Sequence, residues 1–161
     1  MKMTLYHGTD CLFDKIDLSK SLGNRDFGIG FYTTTICSQA ENWARSRKLR
    51  NKSERAYVYV YELDLPENAL SIKTFEGLSV EWLNTVRDNR KLGGIQHTYD
   101  IMIGPVANDN TMLTVTRYIQ GTYTVNEALK RLYYANLNDQ VSFHTEKSLE
   151  YLHFVRRYCV E

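Results

Sequence analysis

Proline and cysteine are scarce in this chain of 161 residues: the prolines are Pro66 and Pro105, and the three cysteines, Cys11, Cys37 and Cys159, stand far apart. With no low-complexity tract and no segment recurring at a fixed period, neither a linker nor a repeat array is visible. An odd cysteine count without C-x-x-C spacing argues against a disulfide framework or a structural zinc site, and the three read as buried or idle thiols. No stretch approaches the ~20 apolar residues that span a bilayer, and MKMTLYHGTD carries no apolar run of signal-peptide length, so the expected location is cytoplasmic, with no membrane partner. Charge of one sign is lacking as well. Lys plus Arg is 20 and Asp plus Glu is 19, a net +1, so any attraction to nucleic acid has to be local. What is present, 43% hydrophobic and 24% charged residues, suits a single domain over 1–161 that buries roughly 70% of its unfolded surface.

The periodicities predict interspersed strands and helices. Met3–Tyr6 suits a first strand running into His7-Gly8-Thr9, and Gly30–Thr34, aromatic and β-branched, a second. Ser38-Gln39-Ala40-Glu41 matches a capping box for a helix with Ile36, Ala40, Trp43 and Ala44 on one face. Residues 56–65 alternate with period two, with Tyr57, Tyr59, Tyr61, Leu63 and Leu65 on one side. A helix is expected over 79–91 around Val80, Leu83 and Val86, and a central strand at 99–106 stopped by Gly104-Pro105. Thr124 to Glu127 is a second capping box, heading a helix faced by Ala128, Leu129, Leu132 and Tyr133. A strand at 140–144, a short helix at 146–152 and a last strand at 154–160 follow. The absence of regular β-α alternation makes α+β the expected class.

Three glycines near the second strand invite a phosphate-binding reading that the spacing refuses. Gly23-x-x-x-x-Gly28 is followed by Ile29 instead of the lysine of a P-loop, and a dinucleotide fingerprint needs glycine where Thr33 stands. Gly28 and Gly30, flanked by Phe27, Phe31 and Tyr32, then mark either a β-bulge or a place where a planar ligand approaches backbone and rings. His7 at a strand end is either a satisfied structural residue or a donor to a sugar hydroxyl. His97, His144 and His153 lack metal-ligand spacing, and no metal is expected.

The strings LYHGT, DFGIGFYTTTICSQAENWA and NDQVSFHTEKSLEYL together resemble the His, Tyr and Glu signature of the ADP-ribosyltransferase fold, in its diphtheria-toxin-like and poly(ADP-ribose)-polymerase-like branch. With YDIMIGPVANDN, the pattern is still more similar to a bacterial family of small domains regarded as relatives of those transferases. The resemblance covers nearly the whole chain. It implies two packed, mostly antiparallel sheets with flanking helices and an NAD cleft. It also implies that His7 holds the adenosine-side ribose, that Gly8 backbone bonds the nicotinamide carboxamide, and that Thr9 and Gly30 belong to the cofactor site. Tyr32 would stack on nicotinamide, with Trp43, eleven residues on, as the second ring. Arg25 either pairs with pyrophosphate or is a solvated loop charge. A serine that assists carboxamide binding in the family is replaced by Ala40.

The larger departure is Gln140, which stands where the family has glutamate. An amide orients a hydroxyl but neither carries full charge nor takes a proton at neutral pH. Asp139, its neighbour, should face the other side of the strand. The expected activity is therefore mono-ADP-ribosyl transfer from NAD, with Gln140, His7 and Tyr32 as catalytic residues, or NAD hydrolysis as its unproductive form. The alternative is an inactive relative kept as a binding module. An RNA phosphate-removing transferase would want a basic triad that is not evident. The acceptor would be a macromolecule, protein or nucleic acid. Relatives of this size are commonly toxins with a small antitoxin protein as partner. The run RSRKLRNKSER reads either as a solvated helix end or as a docking patch, with Arg45, Arg47, Lys48 and Arg50 expected to serve recognition more than folding.

Overall fold

A computed structural model describes residues 1–21, 23–107, 109–132 and 138–161, without the side chains of 109 and 110. Among them are seven strands, β1 (Lys2–Thr9), β2 (Phe31–Thr33), β3 (Ala56–Asp64), β4 (Ile72–Thr74), β5 (Ile101–Gly104), β6 (Gln140–Phe143) and β7 (Leu152–Val160). Five α-helices accompany them, α1 (Cys37–Asn51), α2 (Val80–Leu92), α3 (Asp109–Ile119), α4 (Val125–Leu132) and α5 (Glu146–Leu149). The strands form two sheets, ordered β1-β3-β7 and β2-β6-β5-β4, antiparallel throughout except for the β4–β5 pair. The class is α+β.

Alternation along β3 explains how the sheets stack. Tyr59, Tyr61 and Leu63 join Leu5 of β1 and face Phe31, Ile101, Val141 and Phe143 of the second sheet, forming the core between the sheets. The opposite side of β3, Ala56, Val58 and Val60, lies under Ala40 and Ala44 of α1. The second sheet's outer face, with Tyr32 and Met102, is covered by apolar residues of α2, α3 and α4. The sheets touch edge to edge at one bridge, where Tyr6 and Thr34 exchange both backbone hydrogen bonds at 2.8 and 2.9 Å. No helix among the described residues is long and apolar enough to cross a membrane.

Several local expectations need correction. The Ser38 capping box does not form: α1 begins at Cys37 after Ile36, with no side-chain cap. The turn before it is held from a distance instead, by Asp139, whose carboxylate accepts from the Thr34 hydroxyl at 2.5 Å, the Thr35 amide at 2.9 Å and the Thr35 hydroxyl. Val80 is exposed, while Trp82 is fully buried and donates its indole N–H to the Pro105 carbonyl at 2.9 Å. Of the three cysteines, all free, Cys11 and Cys159 are exposed and Cys37 is half-buried, so of the two readings burial does not apply to the first two. Of the second capping box the N-cap half forms, Thr124 Oγ1 accepting from Glu127 N at 3.2 Å; Tyr133, expected on that helix, lies outside the described residues. The short β4 and α3 were not expected.

Candidate functional site

The ends of β1 and β2 diverge just past the Tyr6–Thr34 bridge, and a side chain keeps them apart. His7 stacks on Phe31 (centroids 4.2 Å apart) and its Nδ1 lies 2.6 Å from the Tyr32 carbonyl. Burial pushes the His7 ring down to about 4, against the raising effect of the Tyr32 carbonyl, so the ring is neutral at pH 7. A neutral ring bonded to a carbonyl donates from Nδ1, which leaves Nε2 as an acceptor. In an antiparallel strand the residues two apart turn their backbone groups to the same edge. Gly8 therefore directs its N–H and C=O where Tyr6 does, towards β2, where no described strand continues the pairing.

Tyr32 and Gln140 share a face of the second sheet. The register pairs Tyr32 with Ser142, which makes Gln140 the diagonal neighbour of Tyr32, roughly 7–8 Å between backbones. Both are buried, at 4% and 2% exposure. The Tyr32 hydroxyl donates to the Gly28 carbonyl at 2.6 Å and accepts from Phe27 N at 3.0 Å, while the Arg25 guanidinium lies over the ring, 4.2 Å from its centroid. Burial is the main influence on both partners, raising the phenol and lowering the guanidinium. Gln140 spends both amide hydrogens, on Asp26 Oδ2 at 3.1 Å and the Pro105 carbonyl at 2.9 Å. Its Oε1 takes no partner from the described residues.

Of the sequence-derived site residues, His7 meets Tyr32 through its carbonyl, and Arg25 and Gln140 flank the Tyr32 side chain; the His7 ring itself stacks on Phe31 towards the inter-sheet core, while Tyr32 and Gln140 lie on the outer face of the second sheet. Thr9 and Gly30 have local duties. Thr9 Oγ1 accepts from Cys11 N at 3.1 Å, and Gly30 lacks a Cβ because one would sit 2.7 Å from both His144 Nδ1 and the Phe143 carbonyl. Trp43 is half-buried on α1, and the ring packed edge-on against Tyr32 is that of His144, 6.2 Å away, not Trp43. Asp139 faces away as expected, committed to Thr34 and Thr35. His144 and His97 contact edge to face at 4.5 Å, and each bonds a carbonyl, of Ile29 and Phe27. Among the described residues no cluster of His, Cys, Asp and Glu is placed to hold a metal ion.

Sequence reasoning missed Asp26 and Arg90. Asp26 is buried, and the Arg90 guanidinium grips its Oδ1 through two nitrogens, Nε at 2.7 Å, while Ala107 N donates to Oδ2 at 2.9 Å. The signal available was the dipeptide Arg25-Asp26 directly before the glycine pair; its partner Arg90, 64 residues away, was beyond local reading. The basic run also divides. Arg47 Nε, Asn51 and Ser53 all bond the Asp10 carboxylate, whose side chain is 3% exposed, so Arg47 closes the end of β1 onto the end of α1. Burial alone would raise Asp10, but those donors hold it well below the usual carboxylate range. Arg45 bonds Asn42 and the Glu161 carbonyl. Lys48 and Arg50 make no ion pair with the described residues.

A groove of about 780 Å³ has walls that include Phe13, Tyr59, Phe154 and Arg157, and His7 does not line it. His7 meets Phe13 and Tyr59 edge-on at 5.9 and 6.4 Å, and neither Tyr32 nor Gln140 lines the groove. Among the described residues His7 Nε2 and Gln140 Oε1 are acceptors without a partner, on the two sides of the second sheet, and Gly8 presents an unpaired strand edge. Acceptors of that kind suit hydroxyl groups, and a glycine edge suits an amide. No curated protein and no solved structure matches the chain. Residues 3–154 match the model of a family described as "Protein of unknown function (DUF3990)", and the chain belongs to that family.

Proposed function

We propose that this chain is a mono-ADP-ribosyltransferase of the ADP-ribosyltransferase fold, taking NAD as substrate and a macromolecule, protein or nucleic acid, as acceptor. The observation that carries the reading is that the other two motif residues both neighbour Tyr32: His7 is bonded to its carbonyl, and Gln140 lies on the same face as its ring. In this reading Gly8 backbone pairs with the carboxamide, His7 Nε2 and Gln140 Oε1 accept from ribose hydroxyls, and Arg25 leaves the Tyr32 ring for the pyrophosphate as nicotinamide takes its place. Nicotinamide is a good leaving group and the transition state is loose and cationic, so held geometry supplies much of the acceleration without a carboxylate at 140. A cytoplasmic toxin neutralised by a small antitoxin protein is the biological setting that this chemistry and the family resemblance suggest.

The burial of Tyr32 and Gln140, and the guanidinium already on the Tyr32 ring, favour a second reading, a binding module without turnover. Thermal unfolding with NAD tests the site itself. Ligand at about a hundred times its dissociation constant adds roughly 2.7 kcal/mol. A raised midpoint is expected, and none at millimolar NAD with folded protein refutes an NAD site of either kind.

A further inference from the structure

On the reading of Gln140 as the residue that meets the ligand ribose, we infer that Asp26 is its positioning residue: it fixes the amide so that Oε1 is the end left for the ligand, and it makes an amide, not a carboxylate, the group that position 140 accepts. The two ends of a glutamine amide are nearly alike in shape, and their partners decide which way it lies. Here both neighbours are acceptors, Asp26 Oδ2 at 3.1 Å and the Pro105 carbonyl at 2.9 Å. Only the NH2 end satisfies them. A flipped amide would set Oε1 against two acceptors and strand a buried donor.

Asp26 cannot turn aside to relieve such a conflict. The Arg90 guanidinium holds its Oδ1, the Ala107 amide holds Oδ2 at 2.9 Å, and the residue is buried. The same short loop grips the other motif residue: Arg25 covers the Tyr32 ring, and Phe27 N and the Gly28 carbonyl bond its hydroxyl. Residues 25–28 therefore set the ring and the amide relative to one another. The departure from the glutamate of the transferases that the sequence resembles has a physical reason in this arrangement. Two carboxylates about 3 Å apart do not both stay ionised, so a carboxylate at 140 would have to share a proton with Asp26 or be pushed away.

Among the described residues the charged and titratable groups around Gln140 are few. Asp26 bonds it and Arg90 reaches it through Asp26, Arg25 and His7 reach it through Tyr32, Asp139 is turned to Thr34 and Thr35, His144 bonds Ser142 on the same face at 2.8 Å, and His97 lies behind His144 on the Phe27 carbonyl. Burial pushes His7 and His144 down to about 4, so both stay neutral in the fold between pH 5 and pH 8, and what they contribute to the pH dependence of unfolding is common to the parent and the variants. A change relative to the parent across that window reports the carboxyl pair.

The test compares the parent, Gln140→Glu, Asp26→Asn and the double variant, by thermal midpoint and by nicotinamide release from NAD, at pH 5 and pH 8. Gln140→Glu should unfold near the parent at pH 5 and lose midpoint and release rate by pH 8. The introduced carboxyl has a raised folded-state pKa, so its stability is lost as pH rises through that value. Asp26→Asn alone should lose midpoint at both pH values, and adding it to Gln140→Glu should recover part of the pH 8 loss, because the carboxylate pair is gone although the Pro105 carbonyl still faces an acceptor. A Gln140→Glu protein that tracks the parent at both pH values, or a double variant whose loss equals the sum of the singles, overturns the inference. If the parent releases no nicotinamide, the transferase reading fails while the midpoint cycle still decides the coupling. Nuclear magnetic resonance of the parent gives a measurement that needs no variant: the Gln140 side-chain NH2 protons should exchange far more slowly than those of exposed Gln120, and equal exchange overturns the inference.

Discussion

Gly8 stands where α1 crosses β1, and giving it a methyl group should unseat the helix. A Cβ built there lies 1.9 Å from the Ala40 carbonyl oxygen, 2.9 Å from its carbon and 3.0 Å from Ala44 N, all of them backbone. No rotamer change relieves this, so α1 as a whole has to retreat by about 1 Å or more from a seat in which Ala40, Ala44, Ala56 and Val58 are fully buried. Overpacking costs typically about 1–3 kcal/mol, and a collision with fixed backbone belongs at the top of that range. Replacing glycine in an unstrained strand would otherwise stabilise by roughly 0.4–1 kcal/mol through the unfolded chain, so the sign itself is diagnostic. At roughly 2–4 °C per kcal/mol for a chain of this size, Gly8→Ala should lower the thermal midpoint by about 6–12 °C. Adding Ala40→Gly should not restore it, because the contact is with the Ala40 carbonyl. A midpoint within about 2 °C of the parent, or rescue by Ala40→Gly, refutes the packing argument.

Asp10→Ala strands Arg47, Asn51 and Ser53 at once and should cost about 2 kcal/mol by denaturant unfolding, whereas Arg50→Ala on the same helix should stay within about 0.5 kcal/mol. His7 and His144 are held below their ordinary value by burial, so the folded state binds fewer protons than the unfolded one between about pH 4 and 6.5. Stability should therefore be full above pH 6.5 and fall as pH drops towards 4, by a few kcal/mol in total, and His144→Gln should flatten part of that fall in a midpoint-against-pH series.

The fold class was legible because the strongest periodicities belong to residues whose burial is decided locally. Along β3 the tyrosines face the inter-sheet core while Ala56, Val58 and Val60 face α1, just as a period of two requires, and Gly104-Pro105 ends β5 where a proline ends a central strand. β4 is three residues long, too short to show a period, and α3, with Thr111, Thr114, Val115 and Thr116, is poor in good helix formers and is held by packing. The start of α1 was misread because its anchor, Asp139, comes from a distant strand. In the site, the motifs located His7, Tyr32 and Gln140, and alternation put Asp139 on the opposite face. What holds those residues was not legible: the Asp26–Arg90 pair and the Arg47–Asp10 clasp join positions 64 and 37 residues apart, and single charges in a near-neutral chain give no hint of their partners.

Nicotinamide release from NAD by the purified protein, measured for the parent and for Gln140→Ala at saturating NAD, tests the central claim most directly. Gln140 is assigned to accept from the ribose as positive charge develops there, so its truncation should leave NAD-induced stabilisation nearly intact and cut the release rate. Release by the parent above the no-protein background, together with that loss, is the predicted result. A parent that binds NAD and releases no nicotinamide with a lysate supplied as acceptor, or a Gln140→Ala protein as fast as the parent, contradicts it.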